Sequence, residues 1–425
     1  MRTEPETERI DTLVIGGGQA GLSTSYWLSK AGVEHLVVDR RDRLGGGWQD
    51  RWEAFCLVLP NFTLLLPGMP YDGDDPDGFM PRDEVIGYVS RYASVIDAPV
   101  QLGTSVTRLT AAPQGFLAEA GDTTFQARNV VLATGPYPRP RIPAAAQTID
   151  GHIQQLHSND YRRPDQLADG AVLVVGTGQS GAQIADELRR AGRQVHLAVS
   201  RCATAPRRYR GRDLGWWLLQ VFQRGAEVGV EMKLPSPAAR FAGNPILTGQ
   251  DGGHDLDLRQ FARDGMRLYG RLESADGTTV RFSDDLAERL VFAETQFDKT
   301  QRRLIDAYIT AAGIDAPPDD RLPVGESPAP ETTTRLDLTA AGINSVVWAT
   351  GYQLGFGWVE LPVFDEWGYP RHTRGITEHP GLYAVGLPWL HTAGSSVFGG
   401  IGTDTEHVVE HIAGRRDRAE TAGRA

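Results

Sequence analysis

The strongest constraint on this chain is a pattern that occurs twice. Asp11–Gly18 (DTLVIGGG) is an apolar run ending in glycines; a helical stretch follows from about Gln19 to Lys30, then an Ala31-Gly32 stop and a second apolar run, HLVVDR. Ala171–Gly178 (AVLVVGTG) opens the same succession 160 residues later: QSGAQIADELRR, Ala191-Gly192, then QVHLAVSR. Gly16 falls on Gly176 and Ala31 on Ala191 without a gap. Strand, glycine turn, helix and strand is the opening of a doubly wound sheet. A long-period repeat of this kind marks two copies of one structural unit, here two Rossmann-like dinucleotide-binding units of α/β class.

Each turn follows G-x-G-x-x-G, as Gly16, Gly18, Gly21 and as Gly176, Gly178, Gly181. The first glycine permits the tight turn, the second lets a pyrophosphate approach the backbone, and the third lets helix and strand pack closely. The helix N-terminus offers unpaired N–H groups and a positive dipole end to phosphates. The copies differ where their second strand ends. Asp39, followed by Arg40, puts a carboxylate where it bonds free ribose hydroxyls and repels a 2′-phosphate, and FAD has the free hydroxyl. Val199 holds the same offset in the second copy, with Ser200 and Arg201 after it. A hydroxyl and a guanidinium suit a 2′-phosphate. The expectation is FAD at the first site and NADPH at the second.

Two further apolar runs end in one tripeptide, NVVLATG at Asn129–Gly135 and SVVWATG at Ser345–Gly351. With the repeat, they divide the chain into an FAD-binding domain over 1–149 and 346–425 and an NADPH-binding domain, 150–345, inserted into it. Within the second lies a segment dense in Arg, Trp and Tyr, at about 203–300. DAPPDDRLPVGESPAPETTT reads as an extended surface connector, and residues after Gly414 as a charged, frayed tail. Lys and Arg total 43 against 54 Asp and Glu, a net charge of -11 with no basic stripe. That excludes nucleic acid as the main partner. The acidic start and the lack of an 18-residue apolar run predict neither signal peptide nor membrane span, hence a cytoplasmic protein. Cys56 and Cys202 are the two cysteines and form no CxxC, so neither the dithiol of flavin-linked disulfide reductases nor a cysteine zinc site is expected.

These motifs resemble those of the class B flavoprotein monooxygenases, the flavin-containing and Baeyer–Villiger group, and most closely their single-chain bacterial and plant YUCCA-like members. The resemblance rests on GGGQAG at Gly16, LGGGW ending at Trp48, ATG at Ala133, HSNDYR at His157, GTGQSG at Gly176 and ATGY at Ala349. It covers nearly the whole chain outside 203–300. The group's fingerprint, roughly F-x-G-x-x-x-H-[ST]-x-x-[YF], is met in its second half by His157, Ser158 and Tyr161; Ile149 stands in place of Phe, and five residues separate Gly151 from the His.

The resemblance implies that Gly16, Gly18, Gln19, Ala20, Gly21, Asp39, Arg40, Gly46, Gly47, Trp48, Val106, Ala133, Thr134, Gly135 and Gly386 hold FAD. It implies NADPH at Gly176, Gly178, Gln179, Ser180, Gly181, Ser200 and Arg201. Val106 looks like the family's strand that meets adenine. PGLYAVGLPWLHTAG is similar to the segment passing under the flavin ring, with Leu387 replacing an acidic residue, and GGIGTDTEHVVEHI to a glycine turn into a helix facing the flavin pyrimidine edge. Two catalytic candidates emerge. Asn61 resembles an asparagine near the flavin C4a edge and equally fits an Asx turn beside Pro60; His391, near Trp389, either faces the flavin or packs.

The implied chemistry is a hydride from NADPH to FAD, O2 addition at flavin C4a to give a hydroperoxide, and transfer of one oxygen to a small organic substrate at N, S, carbonyl or activated carbon. The alternative is an FAD/NAD(P)H oxidoreductase passing electrons to a quinone, O2 or a protein partner; a flavin-bearing binding protein is a third class. HVVEH at His407–His411 matches the H-x-x-E-H zinc pattern but reads as a polar stripe on the closing helix, so no metal is expected. Trp216-Trp217 suit either a substrate channel or the core. Arg207, Arg208, Arg210 and Arg212 suit NADPH, an anionic substrate or a solvated patch. Oligomeric state is left open, a homodimer being one option.

Overall fold

The computed structural model describes residues 6–321 and 330–424, so the middle of the expected connector, 322–329, lies outside the described residues. The first apolar run forms β1 (Glu6–Ile15), α1 spans Gln19–Lys30, and β2 is His35–Val38. β3 (Thr123–Leu132) returns alongside β1. The second copy gives β4 (Ala171–Val175), α2 (Gln179–Arg190) and β5 (Val195–Ala198). After it come α3 (Leu214–Arg224), β6 (Arg267–Tyr269), α4 (Leu286–Lys299), β7 (Ile343–Trp348), β8 (Leu382–Ala384) and α5 (Phe398–Arg424).

Two largely parallel sheets result. In the first, β8, β3, β1, β2 and Val100–Gln101 lie side by side, every pair parallel, with an antiparallel hairpin (Arg108–Ala112 and Gly115–Ala120) added to β3. In the second the order is Gln154–His157, β7, β4, β5 and β6, again all parallel. Strands covered on both faces read as unbroken apolar runs, and Leu13, Val14, Leu173 and Val174 are fully buried. The repeat extends to register: Thr12 faces His35 as Val172 faces Val195, and Ile15 faces Val38 as Val175 faces Ala198.

The chain passes from the first sheet to the second after β3 and returns after β7. The two passages pair with each other, Arg139–Pro140 running antiparallel to Tyr352–Gln353.

Two expectations change, and part of the 203–300 segment gains a place, since β6 completes the second sheet beside β5. The tail after Gly414 continues α5 as far as Arg424 rather than fraying. Val106 lies in the connection between Val100–Gln101 and Arg108–Ala112, not in a strand. There Gly103 turns with φ +67°, and the Gly103 and Thr104 amides donate to the Arg41 and Asp39 carbonyls beyond β2. Among the described residues no helix is long and apolar enough to cross a membrane.

Candidate cofactor and active site

The first glycine turn is built so tightly that side chains are excluded. Gly16 has φ +117°, and a Cβ on it would lie 2.4 Å from the Ala133 carbonyl oxygen. Ala133 donates its N–H to Ile15 O at 2.9 Å, so the Ala-Thr-Gly tail after β3 closes over the turn. A Cβ at Gly21 would meet Gly16 O at 1.8 Å. Gly18 caps α1 in an extended conformation with no side chain accepting from the helix. The first-turn N–H groups therefore remain for an anion. Gly17 N donates to Asp39 Oδ2 at 2.6 Å, and Arg41 N donates to Oδ1 at 2.9 Å.

Other residues expected at FAD converge on the same helix end. A Cβ on Gly46, whose φ is +53°, would lie 3.0 Å from Gly18 Cα, so these two backbones touch. Trp48 Nε1 donates to Gln19 Oε1 (3.1 Å), Gln19 Nε2 donates to Ser396 O (3.0 Å), and the Trp48 ring stacks on Phe398 at 5.6 Å. Gly386, φ +70°, passes so near Ala20 that a Cβ would lie 2.5 Å from that residue's own. A cavity of about 410 Å3 opens beyond β2, lined by Arg40, Arg41, Asp50, Ser105, Tyr137, Pro138, Pro140 and Asn159. Arg41 is neutralised there by Asp50 at 2.6 Å.

The second turn repeats this construction with different side chains. Gly176 has φ +105°, and a Cβ there would meet Ala349 O at 2.5 Å; one on Gly181 would meet Gly176 O at 2.0 Å. Gly178 again caps its helix without a side-chain bond, and a Cβ on it would meet nothing within 4 Å. Thr177 N donates to Ser200 Oγ at 3.0 Å. Ser200 thus does for the second turn what Asp39 does for the first, while Val199, at the matching offset, is fully buried. Arg201 is exposed, its guanidinium 4.1 Å from the centre of the Phe292 ring. Gln179 and Gln183 both donate to Leu247 O, Gln183 at 2.8 Å, and Ser180 is half-buried beside them.

Asn61 is buried, its Nδ2 donating to Asp75 O (2.9 Å) and its Oδ1 accepting from Met80 N (2.8 Å). Both ends of the amide organise the loop over residues 60–80. His391 is exposed, and its N–H and that of Thr392 donate to Ser395 Oγ at 2.9 and 3.0 Å. Two residues earlier Trp389 has φ +61°, a left-handed conformation that is costly for a bulky side chain. This strained segment runs directly into α5. It also meets α3: Phe222 packs on Gly394 and Leu219 on Gly399. Buried beneath it is Asp404, whose carboxyl is pushed up by burial against the opposing effects of Ser395 and Arg374. Sequence reasoning missed Ser395, Asp404 and the α3 wall, since nothing local marks them.

His157 Nε2 donates to Gly351 O at 3.1 Å while Nδ1 accepts from Asn159 N at 3.1 Å, and burial lowers its pKa, so it is a neutral joint between the passages. Arg207 is neither ligand nor solvated patch: it is buried, paired with Asp213 at 2.7 Å, donating to Val58 O at 2.7 Å and facing the Phe79 ring. Arg210 pairs with Asp306 and Arg212 lies over Trp216, while Arg208 is exposed. Trp217 is core, its Nε1 donating to Tyr209 O. His411 Nδ1 lies 3.1 Å from Tyr383 Oη. Among the described residues no group of three or more His, Cys, Asp or Glu is placed to hold a metal ion.

Comparison with known proteins agrees with this architecture. Residues 13–233, just over half the chain, match the pyridine nucleotide-disulphide oxidoreductase family. An uncharacterised CzcO-like oxidoreductase of Geobacillus kaustophilus is 29% identical over 406 residues, 95% of this chain and 98% of its own. The indole-3-pyruvate monooxygenase YUCCA1 of Oryza sativa is 29% identical over 318 residues, 68% of this chain and 78% of its own. The flavin-containing monooxygenase of Stenotrophomonas maltophilia shares the fold (TM-score 0.64, 20% identity, 96% of this chain and 99% of that one). So does OTEMO in complex with FAD and NADP (TM-score 0.55, 17% identity, 98% and 87%).

The chain belongs to the pyridine nucleotide-disulphide oxidoreductase family, and flavin monooxygenases among its relatives and structural neighbours are in keeping with the class B motifs it resembles. It is an enzyme of the oxidoreductase class. Its two cysteines are free.

Proposed function

We propose that this enzyme is an FAD-dependent, NADPH-consuming monooxygenase acting on a small organic substrate. In this reading residues 1–149 and 346–425 form the FAD domain and 150–345 the NADPH domain. The observation that carries it is the pair of uncapped, side-chain-free helix ends, one tied to a carboxylate and the other to a hydroxyl with a guanidinium beside it. A carboxylate at that place favours a bare ribose, and a hydroxyl with a guanidinium favours a phosphorylated one.

The FAD pyrophosphate would rest on the α1 N-terminus, where Gly16, Gly18 and Gly21 leave room for it. Asp39 and the Arg40 cavity would take its adenosine end, with Gln19, Trp48 and Gly386 toward the ring. NADPH would rest on the α2 N-terminus, with Ser200 and Arg201 at its 2′-phosphate. When bound, reduced flavin supplies the electrons that activate O2 for transfer of one oxygen atom to a soft N or S centre, a carbonyl or an activated carbon. The chain's own task is orientation and exclusion of water. Phe222 and Leu219 of α3 close on the glycines at 394 and 399, and Trp48 stacks on Phe398, which keeps this region apolar. A dry site suppresses wasteful release of peroxide.

The test is isotopic. FAD-loaded protein is reduced with NADPH without air, then given 18O2 and a panel of amines, thioethers and ketones. One labelled oxygen in product for each NADPH is expected. Stoichiometric peroxide with no labelled product from any of them refutes the proposal and leaves electron transfer to an external acceptor.

A further inference from the structure

We propose that the inserted segment supplies the other half of the 2′-phosphate site: Arg289 and Phe292 of α4 join Arg201 in recognising the phosphorylated ribose of the nicotinamide cofactor. This rests on the NADPH assignment above and gives the insert a specific task.

α4 is held against the segment that leaves β5. Thr204, three residues beyond Arg201, donates its N–H to Ala293 O at 3.0 Å and its hydroxyl to the same oxygen at 3.2 Å. Ala293 is itself buried. The helix is thereby pinned to the segment leaving β5. Ala293 and Arg289 are four residues apart, so they share one face of α4.

Phe292 supplies a platform. Its ring centre lies 4.1 Å from the Arg201 guanidinium carbon, close enough for a cation–π contact that fixes the side chain. Among the described residues Arg201 has no carboxylate within ion-pair distance.

Arg289 brings the second charge. Its Nη2 is 2.6 Å from Asp285 Oδ2, one turn back on the same helix. Its Nε is buried and without a hydrogen-bond partner among the described residues. A guanidinium has five N–H donors, so one carboxylate contact leaves donors to spare. Arg289 precedes Phe292 by three residues, one turn along the same helix surface; burial pushes the Cys202 thiol up, and the Thr177 hydroxyl and then the Arg289 guanidinium oppose that shift. Two arginines, one from the β5 end and one from the insert, thus adjoin the Phe292 ring near Ser200. A dianionic phosphate monoester is the group that such a pair with an adjacent hydroxyl recognises.

The experiment measures binding, not turnover. Dissociation constants for NADP+ and NAD+ are obtained by calorimetry on FAD-loaded wild type, Arg201→Ala, Arg289→Ala and Phe292→Leu. Losing a charge-assisted contact weakens NADP+ about tenfold; Arg201→Ala and Arg289→Ala should each do so while NAD+ binding is unchanged. Phe292→Leu, which keeps both charges and frees Arg201 to wander, should weaken NADP+ severalfold. Flavin content and melting temperature report folding, and if Arg289→Ala does not fold, Phe292→Leu decides alone. Normal NADP+ affinity in Arg289→Ala and Phe292→Leu, with loss in Arg201→Ala, overturns this proposal and spares the NADPH assignment. Wild type that binds NAD+ as tightly as NADP+ overturns both.

Discussion

The two glycine turns share one backbone but have different surroundings. Both close under an Ala-Thr-Gly tail: Ala133 N bonds Ile15 O and Ala349 N bonds Val175 O, each at 2.9 Å. Their helices face different neighbours. On α1, Ser23 Oγ and Thr405 Oγ1 are 2.7 Å apart and Trp27 Nε1 donates to Gly402 O, so α5 covers it. The equivalent positions on α2 are Gln183, bound to Leu247 O of the insert, and Glu187 near Tyr161. Duplication fixed the cradle, and each copy's cover gave it a separate partner.

The largest effect should come where the copies are most alike. Gly21→Ala and Gly181→Ala each drive a Cβ into a carbonyl oxygen and should cost about 3–5 kcal/mol, read as loss of the cooperative urea transition and of flavin retention. If either tolerates alanine, the equivalence is broken. Next is the tie across each turn. Asp39→Ala removes a charged acceptor from Gly17 N and should cost about 1.5–3 kcal/mol, against about 0.5–1.5 for Ser200→Ala. Equal urea midpoints for the two variants would contradict the roles assigned here.

A smaller difference is pH-dependent. Burial raises the Glu187 carboxyl from 4.5 to about 7. The folded chain then binds more protons there than the unfolded one, so stability falls as pH climbs from about 4.5 through 7. Glu187→Gln removes that loss. It should stabilise the protein by about 1–2 kcal/mol at pH 8, a figure reduced for partial exposure, with the gain fading below pH 5. A gain that does not vary with pH would assign the effect to packing. The smallest change in stability belongs to Gly178→Ala, about 0.5 kcal/mol, because nothing lies within 4 Å of its Cβ direction. Nicotinamide binding should suffer far more, and unaltered affinity would mean that the pyrophosphate rests elsewhere.

The helix limits Gln19–Lys30 and Gln179–Arg190 and the parallel strands beside them were legible because glycines and apolar runs are local signals. The substitution of Ser200 for Asp39 was only half legible: the residue was singled out, but counting from the glycine pointed to Val199, and only the backbone path shows which side chain reaches Thr177. Leu247, Phe292, Ser395 and Asp404 reach their positions through distant pairings that no local pattern encodes. β6 is three residues long, too short for an alternation to stand out. Arg207, set among arginines, gave no sign that it is buried.

The ribbon formed by Arg139–Pro140 and Tyr352–Gln353 carries both passages between the sheets, with the Tyr137 and His157 rings each 5.2 Å from Tyr352. The stretch between Pro140 and Tyr352 therefore leaves and returns by two adjoining threads, about 5 Å apart as paired strands are. Modules with neighbouring ends are the kind that can be grafted into a host without disturbing it. The first sheet, whose strand order is completed across the gap by β8, is such a host.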